Sequence, residues 1–317
     1  MPDPASARGP ILVGYDPGEC DRAPVEFGLA AARLTGARLV IASVQLGSDV
    51  WAGDAHGDLV GDGSAALAGL QADLGEDAPR IEFRSLGGAS AARVLHEEAE
   101  REDAALLVVG SSRRSAADHV LAGSTALRLL HGSPCPVAVV PRGWAAAGDL
   151  STIGVAYADG DEAREALRAA HALARRVGAT LRVMTVVRHT EAMHLEVETY
   201  VAGQMGRSLE DVEGEYRLEA ERRLRGLVGE LGAGVPVEID ATVGDPAEVL
   251  IAVSEHLDLL VCGSRGYGPL RAVLLGSVTR RVVAEARCPV LVLPRGVQAP
   301  LEALTGREVD AQAPASS

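Results

Sequence analysis

The chain contains no lysine, so all 30 of its basic residues are arginine. That absence excludes a P-loop lysine on a triphosphate, a Schiff-base lysine, and the lysine that completes a response-regulator acidic site. Aromatic residues are also scarce, at 3% of 317 residues. The core must therefore be aliphatic, which suits helices packed on a parallel sheet whose buried strands read as short branched runs. Four cysteines (Cys20, Cys135, Cys262 and Cys288) form no CxxC pair, so neither a zinc ribbon nor a thioredoxin-type site is signalled. They read as buried free thiols. No basic cluster is long enough to neutralise a run of phosphates. Arg113 and Arg114 stand as a pair, Arg222 to Arg225 lies in an acidic segment, and the net charge is −14. Nucleic acid is not an expected partner, and the acidity reads as a solvated surface. No run approaches the roughly 18 apolar residues of a membrane span. Met1 to Pro10 carries no apolar core of a signal peptide, so a cytoplasmic location with no membrane partner is expected.

What the chain does have is 47% hydrophobic residues and enough length for two domains, each with its own core. It also has an internal repeat. Displaced by 142, Val13, Tyr15, Gly18, Gly36, Ala37 and Leu39 meet Val155, Tyr157, Gly160, Gly178, Ala179 and Leu181. Displaced by 153, Leu106, Leu107, Val108, Gly110, Ser111, Gly123, Ser124, Cys135 and Pro136 meet Leu259, Leu260, Val261, Gly263, Ser264, Gly276, Ser277, Cys288 and Pro289. The change in displacement places eleven extra residues in the second half, in the stretch 188–216.

Each half alternates strand and helix. Apolar runs at 11–15 and 153–157 predict a first strand. Helices follow over 23–35 and 161–177, ending at Gly36 and Gly178, good residues for a left-handed C-terminal cap. Second strands lie at 38–44 and 180–187. An amphipathic helix follows, marked in the second half by Leu209, Val212, Tyr216, Ala220 and Leu224. Third strands fall at 80–86 and 236–243. The next helices begin near Ala89 and at Pro246, a favoured first helical residue. Fourth strands at 105–109 and 258–262, a glycine loop, a last helix and fifth strands at 137–140 and 290–293 complete each unit. Strand–helix alternation predicts a parallel, helix-covered sheet, with ligands at the carboxyl ends of its strands. Residues 144–150 read as a linker and 298–317 as a disordered tail.

The chemistry concentrates in GSRGYGPLRAVLLGSVT, Gly263 to Thr279: Gly263, two residues, Gly266, nine residues, then Gly276 and Ser277. Small residues let backbone N–H groups approach phosphate oxygens and admit positive φ in an anion nest. The helix expected from Val278 presents its N-terminal N–H groups to an anion, and Ser277 and Thr279 add hydroxyls. The dinucleotide fingerprint is absent, because Arg271 stands where its third glycine would be.

This pattern, preceded by DLLVCG and followed by RCPVLVLP, with GDPAEVL upstream from Gly244, resembles the universal stress protein family. The resemblance spans 11–143 and 153–296. It implies an α/β fold: two tandem five-stranded parallel-sheet domains of the adenine-nucleotide α-hydrolase-like type, related by a pseudo-two-fold axis and pairing through their last strands. The expected domains are 1–146 and 147–297. It also implies ATP, alone or as its magnesium complex. The residues carried over are Gly263, Arg265, Gly266, Gly276, Ser277, Val278 and Thr279 for ribose and phosphates, with Val186 near adenine. The nucleoside aspartate of the family is Asp16 in the first half; in the second, Ala158 stands in register and Asp159 follows it. The first half supplies Val44, Gly110, Gly123 and Ser124, but Arg113 replaces its second loop glycine; a weakened first site is the favoured expectation, and direct phosphate binding by the Arg113 guanidinium stays open.

His189 and His194, with Glu191, Glu196 and Glu198, read as a solvated loop rather than a metal site. Ser111 and Ser264 lack His and Asp partners at motif spacing, so neither reads as a nucleophile. The segment 263–279 offers no carboxylate or imidazole to position water. The expectation is an ATP-binding stress or regulatory protein. A slow ATPase, a protein-interaction module with inactive sites, and a homodimer of the whole chain stay open. The signatures SGGxDS and HIGH of adenylyl-transferring relatives are absent.

Overall fold

The computed structural model describes residues 9–19, 21–46, 56–75, 81–111, 124–146, 148–187, 209–264 and 276–294. The first half runs β1 (Ile11–Gly14), α1 (Ala23–Thr35), β2 (Leu39–Leu46), α2 (His56–Leu74), β3 (Ile81–Gly88), α3 (Ala91–Arg101), β4 (Leu106–Gly110), α4 (Ser124–Leu130) and β5 (Val137–Val140). The second repeats it as β6 (Thr152–Ala156), α5 (Asp161–Val177), β7 (Thr180–Val187), α6 (Leu209–Gly229), β8 (Val237–Val243), α7 (Pro246–Val253), β9 (Leu259–Gly263), α8 (Ser277–Glu285) and β10 (Val290–Leu293). Both expected caps form. Gly36 and Gly178 take φ of 71° and 72° and return their N–H groups to Ala32 and Ala174.

The ten strands form one sheet, ordered β3-β2-β1-β4-β5-β10-β9-β6-β7-β8. Within each half every pairing is parallel. The halves join through β5 and β10, which pair antiparallel as Val137–Val292, Ala138–Leu291 and Val139–Val290. The last strands thus pair as the family resemblance implies. Because that joint reverses strand direction, the carboxyl ends of β1 and β4 lie at one end of the sheet and those of β6 and β9 at the other.

Strand periodicity sorts the core into two layers. Ile11, Val13, Leu106, Val108, Leu259 and Val261 face the helices α1, α2, α5 and α6. Leu12, Leu107, Val109, Leu260 and Cys262 face α3, α4, α7 and α8. Both halves contribute to each layer, so the tandem repeat shares its core. Arg176 of α5 also donates to the Leu34 carbonyl of α1 at 2.9 Å. Between α1 and α5 a cavity of about 340 Å³ remains, bounded by Leu34, Leu173, Leu291 and the linker residue Trp144. Trp144 meets Phe27 edge-to-face at 5.6 Å, a favoured aromatic geometry.

Cys135, Cys262 and Cys288 are free and buried as expected. Burial pushes their thiols up to about 11, 12 and 12, which makes them poor nucleophiles. Cys20 and the expected tail lie outside the described residues. Among the described residues no helix is long and apolar enough to cross a membrane.

Two measurements test this core and its surface charge. Leu260 is fully buried between the sheet and its helices, so Leu260→Ala should cost about 2–5 kcal/mol in denaturant unfolding. A second test concerns Glu102, which bonds Arg84 at 2.9 Å and also pairs with Arg38. Hydrogen bonds from Arg84 and then Arg38 pull its carboxyl from 4.5 to about 2. A depressed folded pKa stabilises the fold above the unfolded value, and that stability is lost as pH falls through the folded one. The urea midpoint should therefore fall between pH 4.5 and about 2, and Glu102→Gln should flatten that fall.

Candidate functional site

The strand order places the switch point of each half between its first and fourth strands, β1 beside β4 and β6 beside β9. Ligands on such sheets bind outside the carboxyl ends of the strands at that crevice. The expected residues that the structure describes lie toward the strand ends at two opposite ends of the sheet, and the two crevices differ.

In the first half the turn after β1 is tied down by the protein itself. Asp16 is exposed, and its carboxylate accepts from Gly18 N–H at 2.9 Å. Asp21 accepts from Ala23 N–H and, across the crevice, from Gly143 N–H, both at 3.2 Å. Arg142 grips Glu19 through its carboxylate at 2.7 Å and its carbonyl at 3.0 Å. Arg142 N–H also donates to the Ser111 hydroxyl at 3.2 Å. Val44 is half-buried on β2, packed against the α3–α4 layer. Gly123 and Arg113 lie outside the described residues, as does the side chain of Ser124.

In the second half the corresponding groups are engaged differently. Ser264, the counterpart of Ser111, is 1% exposed and its N–H reaches the Leu293 carbonyl at 3.0 Å. Its hydroxyl has no hydrogen-bond partner among the described residues. A buried hydroxyl left unpaired costs free energy, so a polar group arriving at the end of β9 would gain from it. Gly276 caps α8 in an extended conformation, φ −60° and ψ 146°, with no side-chain cap bond. Among the described residues no side chain caps the first-turn N–H groups of α8, which is where a helix favours an anion. Ser277 is exposed at that terminus, Val278 is half-buried against the core, and Thr279 is buried. Val186 is half-buried on β7. Ala158 and Asp159 are both exposed, and Asp159 pairs with Arg223 of α6 at 3.1 Å. Its carboxylate is thus already engaged. Arg265 and Gly266 lie outside the described residues, as do His189, His194, Glu191, Glu196 and Glu198. Among the described residues no group of His, Cys, Asp and Glu is arranged to hold a metal.

Two expectations are corrected by geometry. Neither Gly263 nor Gly276 adopts positive φ, so neither is glycine for the conformational reason expected of an anion nest. Gly263 is small because α5 starts against it: a Cβ there would lie 2.8 Å from the Glu162 carbonyl oxygen. Gly110 does the same beneath α1, where a Cβ would meet Pro24 at 3.1 Å. In both halves this glycine seats the first helix over the fourth strand.

Ser264, which the sequence offers only as a serine without catalytic partners, is added to the candidate binding groups by its buried position at the end of β9. Ser264 at the end of β9 and Ser277 at the N-terminus of α8 are hydrogen-bonding groups of the kind that suits a phosphate-bearing ligand.

Residues 8–141 and 150–294 each match the universal stress protein family. The chain belongs to that family, in its tandem form. A universal stress protein of Mycobacterium tuberculosis is 27% identical over 297 residues, covering 90% of this chain and 99% of its own. A universal stress protein of Thermus aquaticus is 36% identical over 150 residues, covering 45% of this chain and 98% of its own. Among solved structures, a functionally unknown protein of Pseudomonas aeruginosa superposes with a TM-score of 0.64 at 19% identity, covering 95% of this chain and 97% of that one. A universal stress protein of Archaeoglobus fulgidus gives 0.61 at 19% identity, covering 90% and 98%. At those identities the structures speak for the fold alone.

The packing role of Gly263 is testable. Gly263→Ala should force β9 and the start of α5 apart and cost about 1–3 kcal/mol in chemical denaturation. A purely ligand-facing glycine would leave unfolding unchanged.

Proposed function

We propose that this universal stress protein binds ATP at the carboxyl end of β6 and β9 and works as a nucleotide-responsive regulatory protein. The observation that carries this reading is the N-terminus of α8 at Gly276, a residue with no side chain to cap the first-turn N–H groups. It follows directly on a segment in which all three loop glycines, Gly263, Gly266 and Gly276, are present. Phosphates would be held by the α8 N–H groups and the Ser277 hydroxyl, with the Ser264 hydroxyl within the same crevice and Val186 toward the base. Arg265 would supply positive charge, and magnesium would neutralise phosphate oxygens left in solvent.

The reading extends to asymmetry. In the first crevice Glu19 and Asp21 bring carboxylates to the turn after β1, and Arg113 replaces the loop glycine. The second crevice has Asp159 at the same turn, so charge does not separate the two; the missing loop glycine does, and one productive site per chain is expected. Binding without efficient turnover follows from the same chemistry. The segment 263–279 carries no carboxylate or imidazole to orient water, and arginine stays protonated and is a poor base.

The test begins with the purified full chain. It is denatured and released nucleotide is separated by chromatography, and in parallel ATP is titrated calorimetrically into nucleotide-free protein. ATP released intact, or one ATP bound per chain, fits the proposal. ADP accumulating with turnover would favour a slow ATPase. No released nucleotide and no binding heat would leave an interaction module as the reading. Gly266→Trp should weaken ATP binding at least about tenfold, because a side chain there blocks backbone approach to the phosphates.

A further inference from the structure

The two halves carry the same helix pair over the same sheet face, α3 with α4 and α7 with α8, and they differ there in charge. In the second half Arg281 of α8 is closed off by three carboxylates. It reaches Asp245 and Glu248 at 3.3 Å and Glu285 at 3.4 Å. Asp245 is also the N-cap of α7, accepting from Glu248 N–H at 2.9 Å.

Aligning the N-caps of α3 and α7 sets Ser90 against Asp245 and Arg93 against Glu248. The repeat displacement of 153 sets Arg128 against Arg281 and Gly132 against Glu285. All three carboxylates that hold the arginine in the second half are therefore missing in the first. A serine, an arginine and a glycine replace them. These three residues and Arg128 line one cleft of about 300 Å³, together with His96 of α3 and His131 after α4.

The chemistry of that cleft is cationic. Arg128 is exposed and has no carboxylate partner among the described residues. Arg93 enters from α3, balanced on one side by Glu97 at 2.8 Å. The Ser90 side chain makes no cap bond, so its hydroxyl and the first-turn N–H groups of the 11-residue helix α3 keep their donor capacity. The imidazoles of His96 and His131 add to the wall, His131 Nδ1 lying 2.5 Å from the Leu127 carbonyl. Such a constellation, on a chain of net charge −14, is a localised reversal of sign. Two guanidinium forks, a hydroxyl and a helix N-terminus match the tetrahedral, multiply accepting geometry of a phosphoryl group.

We propose that the cleft between α3 and α4 binds a phosphoryl oxyanion, free or carried on a small phosphomonoester. Asp16, Val44 and Gly110 of the strand-end crevice do not line it, so it is a separate site of the first half and does not depend on nucleotide binding.

The experiment uses the full chain labelled with ¹⁵N and titrated with inorganic phosphate, then with glycerol 3-phosphate, at constant ionic strength kept with chloride. Saturable shifts of the Ala92 and Arg93 amides are expected. Tighter binding of glycerol 3-phosphate would identify an ester as the ligand, and equal binding would identify free phosphate. The double variant Ser90→Asp with Arg93→Glu installs the carboxylates that α7 already carries and should abolish the saturable shifts. Arg128→Ala should weaken binding about tenfold or more. Far-UV circular dichroism verifies that each variant is folded, and either variant alone suffices for the test. Absence of saturable shifts in the native chain, or equal affinity in native chain and folded variant, would overturn the proposal.

Discussion

Three residue pairs between β5 and β10 decide the geometry of everything else. A parallel five-stranded sheet ends in an edge of unpaired backbone groups, and an exposed edge is a template for further pairing. Here the two edges satisfy each other. The joint is antiparallel, so the halves are related by rotation about an axis through the sheet, and the strand-end crevices fall at opposite ends. Nothing bound in one crevice can touch the other directly. Any coupling must pass through the shared core, in which α1 and α5 flank the linker and Arg176 bonds across to Leu34.

Duplication preserved the frame and released the surface. The frame elements recur pairwise. Gly36 and Gly178 end the first helices with nearly equal left-handed φ. Gly110 and Gly263 seat those helices on the fourth strands. What differs lies where side chains meet solvent or ligand. Ser111 has a partner in Arg142, whereas the Ser264 hydroxyl has none among the described residues. Asp16 folds back on its own turn, whereas Asp159 is drawn off to Arg223. A serine hydroxyl or an exposed carboxylate can change partners at small cost, because water substitutes for the lost bond. A glycine wedged against a backbone carbonyl has no such freedom.

That distinction also explains how much was legible in the sequence. Helix and strand positions are written in local periodicity and in the glycine and proline stops. The α1 and α5 ranges therefore emerge directly, and α7 begins at Pro246 as its sequence suggests. The pairing of β5 with β10 is not local, since two short apolar runs carry no mark of which edge they meet; the family resemblance supplied it. The site was legible as a location and less so as a set of roles. Gly263 reads only as a phosphate-loop glycine, and its packing role appears once its neighbour Glu162 is placed in space. Asp159 stands one place beyond the register of Asp16, and only the structure shows that Arg223, sixty-four residues away, pairs with it. Both roles depend on long-range contacts, which periodicity does not encode.

The same reasoning bears on the charge difference between α3–α4 and α7–α8. The three pairs that hold Arg281 join side chains between 42% and 68% exposed. Exposed pairs of this kind contribute about 0–1 kcal/mol each. Exchanging their carboxylates for Ser90, Arg93 and Gly132 therefore removes little from the folding free energy of the first half. The electrostatic consequence is larger than the energetic one. Arg281 has its field cancelled within a few ångströms, whereas Arg128 projects its field into a cleft that Arg93 reinforces. Fold stability is nearly indifferent to the exchange, but the affinity of that cleft for an anion is not.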